Sequence, residues 1–236
     1  MTKTIAVFGA GPGFGRAVAR RFGREGFRVA LVARTQPKLD RMVTELADEG
    51  IEAAGFAADL ADRGRLGSTV LAIVDRFGDP DVLHYAPAGP DFVRQQVDIR
   101  AADATSFEFG LDILLRTPAD LIALLLPRML ERGDGAVLFG LGGPAGVPFP
   151  QVGNTVVVAT AARSYLQNLH ASLADTGVYA GLVQVAGMIG GSESAEYFAR
   201  QFDPSLLPEP LDPTLLADAA WDLYTKRDRF ETTIGA

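Results

Sequence analysis

The 236-residue chain contains no cysteine, which excludes disulfides, thiolate metal sites and a thiol nucleophile. Histidine is almost as scarce. His84 and His170 are far apart in sequence, so a zinc cluster, or any other metal site, is not expected. No apolar run approaches the roughly 18 residues needed to cross a bilayer; Leu121 to Leu126 stops at Pro127. A charged-then-apolar leader with a small-residue cleavage site is also missing. Lysine is absent between residues 39 and 225. Positive charge is in deficit: 22 basic residues against 29 acidic give a net −7, which disfavours nucleic acid or an acidic membrane as partner. No internal repeat or linker divides the sequence. The expectation is a cytoplasmic protein with one domain over residues 1–236, long enough to bury a large core.

Within that frame, apolar runs alternate with amphipathic ones. Strands are expected near Thr4–Gly9, Arg28–Ala33, Ala53–Ala57, Val82–Tyr85, Ala136–Phe139, Tyr179–Val185 and Phe230–Ile234. Helices are expected over 14–25, 37–49, 63–77, 103–131, 154–175 and 213–226. Gly26, Gly50, Gly78, Gly133 and Gly177 each fall just past a helix, where a left-handed stop residue belongs. Alternation of this kind builds a doubly wound parallel sheet, α/β and Rossmann-like, with about seven strands and helices on both faces. The one shift in composition is Gly190 to Pro213, with prolines at 204, 208, 210 and 213.

The richest stretch is Gly9-Ala10-Gly11-Pro12-Gly13-Phe14-Gly15, between the first strand and the first helix. Four glycines let the backbone turn tightly and come close to a ligand. The helix behind them offers unpaired N–H groups and a positive dipole end. The anion that suits a strand–glycine loop–helix is the pyrophosphate of a dinucleotide; a turn that merely packs helix on sheet is the bland alternative. An NAD-specific site ends the second strand on a carboxylate for the ribose 2′-hydroxyl. Here that position is Ala33, followed by Arg34. An arginine can pair with a 2′-phosphate, so NADP(H) is favoured over NAD(H), unless Arg34 is only a solvated loop charge.

The general spacing G-x-G-x-x-G does not fit, because Phe14 or Arg16 falls on its last position. Gly9, Gly13 and Gly15 fit G-x-x-x-G-x-G instead, the variant of the short-chain dehydrogenases/reductases, which the chain resembles over nearly its whole length. Phe8 stands where that family has threonine before the first glycine. The resemblance implies cofactor contacts from Gly9, Gly11, Pro12, Gly13, Phe14, Gly15, Arg34, Asp59, Leu60, Ala86, Arg163 and Met188. It also implies a mobile substrate lid at about 190–213; an ordinary surface loop is the alternative there.

Its catalytic half is unusual. The family carries Asn, Ser, Tyr and Lys around the nicotinamide. Aligned on Pro127 and on the helix that follows the fifth strand, those positions read Leu114, Gly143, Ala159 and Arg163. The Asn-Asn-Ala-Gly after strand four becomes Tyr85-Ala86-Pro87-Ala88, and the carboxamide threonine falls on Gly191, beside Ser192. Tyr165 points about 200° away from Arg163 on a helix. Tyr85, ending strand four, is a weak substitute with no lysine to lower its pKa of roughly 10. His84 faces the other side of the sheet and reads as core. His170 reads as helix interface or surface. Asn154 and Thr155 read as helix caps. Three readings stay open: an NADP-dependent oxidoreductase acting on a small-molecule substrate with a non-standard site; a catalytically inactive member that senses dinucleotide or stabilises a partner; and a scaffold whose cofactor site has decayed. Excess leucine on 103–131 and 154–175 (Leu111, Leu114, Leu115, Leu121, Ile122, Leu124, Leu125) implies a homodimer or homotetramer.

Overall fold

The computed structural model describes residues 2–87, 89–143, 148–201 and 208–235. Seven strands form one sheet in the order β3-β2-β1-β4-β5-β6-β7: β1 Thr4–Phe8, β2 Arg28–Ala33, β3 Ala53–Ala57, β4 Val82–Tyr85, β5 Gly135–Gly142, β6 Val178–Ala186 and β7 Glu231–Gly235. Every pairing is parallel. Helices α1 Phe14–Arg24, α2 Gln36–Asp48 and α3 Leu66–Phe77 connect the first four strands. Two short helices, α4 Pro90–Arg94 and α5 Glu108–Leu111, follow β4. Then come α6 Thr117–Arg132, α7 Gly153–Ser172, α8 Glu193–Gln201 and α9 Pro213–Lys226. This is the doubly wound, single-domain α/β fold expected from the alternation.

Period-two alternation in the strands divides the core. Ile5 and Val7 pack with Phe22 and Leu39 on one face, which α1, α2 and α9 cover. Ala6, Phe8, Leu83 and Phe139 pack on the other face with Leu121 of α6 and Leu166 of α7. Gly26, Gly50, Gly78 and Gly133 stop their helices with positive φ, from 66° at Gly133 to 86° at Gly26, which an L residue adopts only with strain; Gly177, also positive, lies beyond the end of α7 and directly before β6. Chain order runs β1-β2-β3 to one side and β4 to β7 to the other, so a crevice opens at the carboxyl ends of β1 and β4.

Three differences from the sequence expectation bear on the site. Helices α4 and α8 arise in segments read as loop; each is short and has too few apolar positions for a periodic signal. The segment 190–213 contains α8, and its residues 202–207 lie outside the described ones. The long helix expected over 103–131 is broken: a 3₁₀ turn at Ala104–Phe107 and α5 lead through a π-turn at Asp112–Arg116 into α6. A π-turn displaces the i→i−4 ladder. The hydroxyl of Tyr85 donates to the carbonyl of Ile113 inside that turn, at 2.5 Å.

Candidate dinucleotide site

The glycines of the 9–15 loop do different work. Gly9 has φ +92°, and a Cβ there would stand 2.8 Å from the Ala86 carbonyl oxygen. A Cβ on Gly15 would stand 2.6 Å from the Gly9 carbonyl oxygen. These two are needed for packing. A Cβ on Gly11 would meet only the Gly9 oxygen, at 4.0 Å, so its bareness serves the open crevice. No side chain caps α1, and among the described residues the N–H groups of Gly13, Phe14 and Gly15 donate to no loop carbonyl. They are the orphan donors of a helix start.

In front of the loop lies a cavity of about 580 Å³. Of the residues expected to contact a cofactor, Gly9, Gly11, Pro12, Arg34, Asp59 and Leu60 line it. The side chain of Phe14 turns away. It is 5% exposed and packs edge-on to His84, ring centroids 4.9 Å apart, and Phe14 does not line the cavity. Gly13 and Gly15 are buried beneath the loop. Ala86 sits against the space left by Gly140, where a Cβ would come within 2.9 Å of the alanine methyl. Met188 accepts a 2.7 Å hydrogen bond at its carbonyl from the Leu211 N–H and does not line the cavity.

Arg163 is placed elsewhere. Its guanidinium makes two 2.7 Å hydrogen bonds to the Glu231 carboxylate at the start of β7, which holds its pKa above the ordinary arginine value. Ten residues into α7, it lies roughly 15 Å down the helix and does not line the cavity. Where a ribose contact was expected of Arg163, its guanidinium is engaged by Glu231. Ala159 is 2% exposed and packed in the core, as is Leu114 at 6%.

Tyr85 is corrected for a similar reason. It is 0% exposed, its hydroxyl is engaged by Ile113, and burial raises its pKa well above the ordinary value. It holds the π-turn whose Ile113 lines the cavity and does not itself reach the cavity. His84 is also fully buried. Desolvation lowers its pKa from 6.5 to about 3, and neither ring nitrogen has a partner among the described residues. The carbonyl of Gly143 accepts a hydrogen bond from the Gln184 side-chain amide. Asn154 does not cap α7. It donates to the Gln95 and Ser106 carbonyls at 2.7 and 2.8 Å and accepts from the Val97 N–H at 2.8 Å, clamping the segment after α4 onto the helix.

Sequence reading missed the remaining cations of the site. Arg16, Lys38 and Arg41 line the cavity with Arg34. The last two sit three residues apart near the start of α2, and that spacing behind Arg34 was the available signal. Carboxylates answer most of them. Asp91 of α4 meets Arg34 at 2.5 Å, and the contact lowers the pKa of Asp91 and raises that of Arg34. Glu193 of α8 pairs with Lys38, and Glu45 lies 3.5 Å from Arg16. Arg41 has no carboxylate partner among the described residues. Those residues hold no cluster of metal ligands and no helix long and apolar enough to span a membrane.

A glycine loop with orphan N–H donors, at the strand-order reversal of a parallel sheet, defines a Rossmann-like α/β protein. The short chain dehydrogenase family model matches residues 3–197, and the chain belongs to that oxidoreductase family. It is 31% identical over 176 residues to a short chain dehydrogenase of Pseudocercospora fijiensis, spanning 75% of this chain and 56% of that one. It is 29% identical over 179 residues to dehydrogenase/reductase SDR family member 4 of Bos taurus, 75% of this chain and 62% of that one. The matches thus span little more than half the length of these relatives. Among solved structures, actinorhodin polyketide ketoreductase with NADPH superposes with TM-score 0.85 at 20% identity, covering 99% of this chain and 95% of that one. A 7α-hydroxysteroid dehydrogenase complexed with NADH gives 0.85 at 16%, covering 98% and 92%.

Proposed function

We propose that this chain binds NADP(H) in the cavity, as a short-chain dehydrogenase/reductase-like protein with a non-standard catalytic set. The observation that carries the reading is the cationic wall at the end of β2: Arg34, Lys38 and Arg41 line one end of the cavity, and Ala33 stands where NAD-specific sites place a carboxylate. The N–H groups of residues 13–15 would hold the pyrophosphate. Arg34 and Arg41 would hold the 2′-phosphate by charge-assisted hydrogen bonds, with Asp59 and Leu60 at the adenine. When bound, NADPH supplies a hydride. For the proton that completes a carbonyl reduction, the usual positions offer no donor. The phenol of Tyr85 is buried and engaged, Arg163 is held by Glu231, and Leu114 and Ala159 carry no titratable group. General acid–base catalysis contributes about 10²- to 10⁴-fold, so ordinary ketone reduction is expected to be slow.

The same placement of Tyr85 and Arg163 favours a second reading, a catalytically inactive member that senses dinucleotide or supports a partner subunit. Homo-oligomerisation is proposed on narrower ground than the sequence suggested. Of the seven apolar residues counted on the long helix, Leu114, Leu121, Ile122 and Leu125 are buried in the chain's own core. Leu124 on α6, 44% exposed, and Val157 on α7, 51% exposed, remain for a second copy.

Titration calorimetry with NADPH, NADP and NADH, on wild type and Arg34→Ala, tests the cofactor. Micromolar NADPH binding that weakens in Arg34→Ala, with NADH poor throughout, is the expected result. Equal NADPH and NADH affinities, unchanged by the substitution, would refute the NADP assignment. Carbonyl- or enoyl-dependent turnover of NADPH would then separate the active reading from the inactive one.

A further inference from the structure

Two ion pairs join the end of β2 and the start of α2 to elements far away in the chain. Arg34 reaches Asp91 across 57 residues of sequence, and Lys38 reaches Glu193 across 155. The two acidic residues belong to one structural unit. Helices α4 and α8 pack on each other, and the Arg94 guanidinium lies 5.2 Å over the Tyr197 ring. That unit rests on the glycine loop itself. A Cβ on Gly13 would lie 3.1 Å from the Ser192 Cβ and 3.2 Å from the Ile189 methyl. A strap therefore lies along the crevice, fastened at the end where the cations cluster.

We propose that Asp91 and Glu193 are specificity-determining counter-ions that occupy the place of the cofactor's 2′-phosphate, and that the phosphate releases the α4–α8 strap by displacing them. The inference rests on the NADP(H) reading above. The charges suit such an exchange. Asp91 is shared, its other oxygen 2.6 Å from Arg94, so it keeps a cation when Arg34 turns to the phosphate. Glu193 lies at the protein surface, 31% exposed in its side chain, and can return to water. Arg41, which has no carboxylate partner among the described residues, is the free cation on which an incoming dianion first lands. A ligand with only a 2′-hydroxyl brings no charge to displace either carboxylate, and the fasteners stay closed. Both pairs are partly solvated and individually weak, which makes the exchange reversible.

The test is calorimetry of adenosine 2′,5′-bisphosphate against adenosine 5′-monophosphate, two probes that differ only in the 2′-phosphate. The proteins are wild type, Arg34→Ala, Asp91→Asn, Glu193→Gln and the double carboxylate variant. The double variant is expected to bind the bisphosphate roughly three- to tenfold more tightly than wild type, with the monophosphate unchanged. Hydrogen exchange over 193–201 in the ligand-free double variant is expected to be faster than in wild type. Bisphosphate binding that Arg34→Ala weakens, but that stays within about twofold across the carboxylate variants, overturns the counter-ion role and leaves the NADP(H) reading standing. Failure of all forms to prefer the bisphosphate overturns that reading and this inference together.

Discussion

His84 gives the sharpest prediction, because its environment is severe and easily perturbed. The ring sits between β4 and α1, fully buried, edge-on to Phe14 and with both nitrogens unpartnered among the described residues. Desolvation lowers its pKa from 6.5 to about 3 in the fold, while the unfolded chain titrates at about 6.5. Between those values the unfolded state binds a proton that the folded state refuses, so stability falls as pH drops below about 6.5 and is level above it. Each pH unit in that window is worth about 1.36 kcal/mol. At pH 5, one and a half units down, His84 alone removes about 2 kcal/mol, a large share of a typical ~5–15 kcal/mol. Urea unfolding of wild type and His84→Leu at pH 7.5, 6.5, 5.5 and 5 measures this. The difference between the two proteins cancels the groups they share. The variant is expected to lose about 2 kcal/mol less than wild type between pH 7.5 and 5. Parallel pH profiles for the two would refute the reasoning.

The division of labour in the glycine loop predicts opposite outcomes at neighbouring positions. Gly11→Ala is expected to leave the melting temperature within about 2 °C of wild type, because its Cβ enters open space, yet to weaken NADPH at least about tenfold by filling the approach to the loop. Gly9→Ala forces a positive φ and a backbone clash with Ala86, and is expected to cost about 2 kcal/mol or more in thermal or urea unfolding. Arg163→Met removes a partly exposed pair between α7 and β7. It is expected to cost no more than about 1 kcal/mol and to leave NADPH affinity in calorimetry untouched; a large loss of affinity would restore Arg163 to the cofactor site.

Local chemistry wrote much of this molecule legibly. Strands β2, β3 and β4 and helix α9 fall on their expected bounds, because apolar runs closed by glycine or proline leave little choice of element. The glycine spacing and Ala33-Arg34 marked residues that line the crevice for the same reason: a loop that must avoid Cβ atoms and a strand end without a carboxylate are visible one residue at a time. What the sequence could not determine was where each side chain points once helices are laid on the sheet. Arg163 falls on the position expected for a ribose ligand, and only the tertiary fold brings its guanidinium to Glu231. Tyr85 ends the right strand, but the π-turn that takes its hydroxyl is set by how α6 packs. Asp91 and Glu193 meet Arg34 and Lys38 across 57 and 155 residues of chain. No periodicity or motif encodes such a pairing, because it exists only when two distant surface helices settle side by side over the same loop.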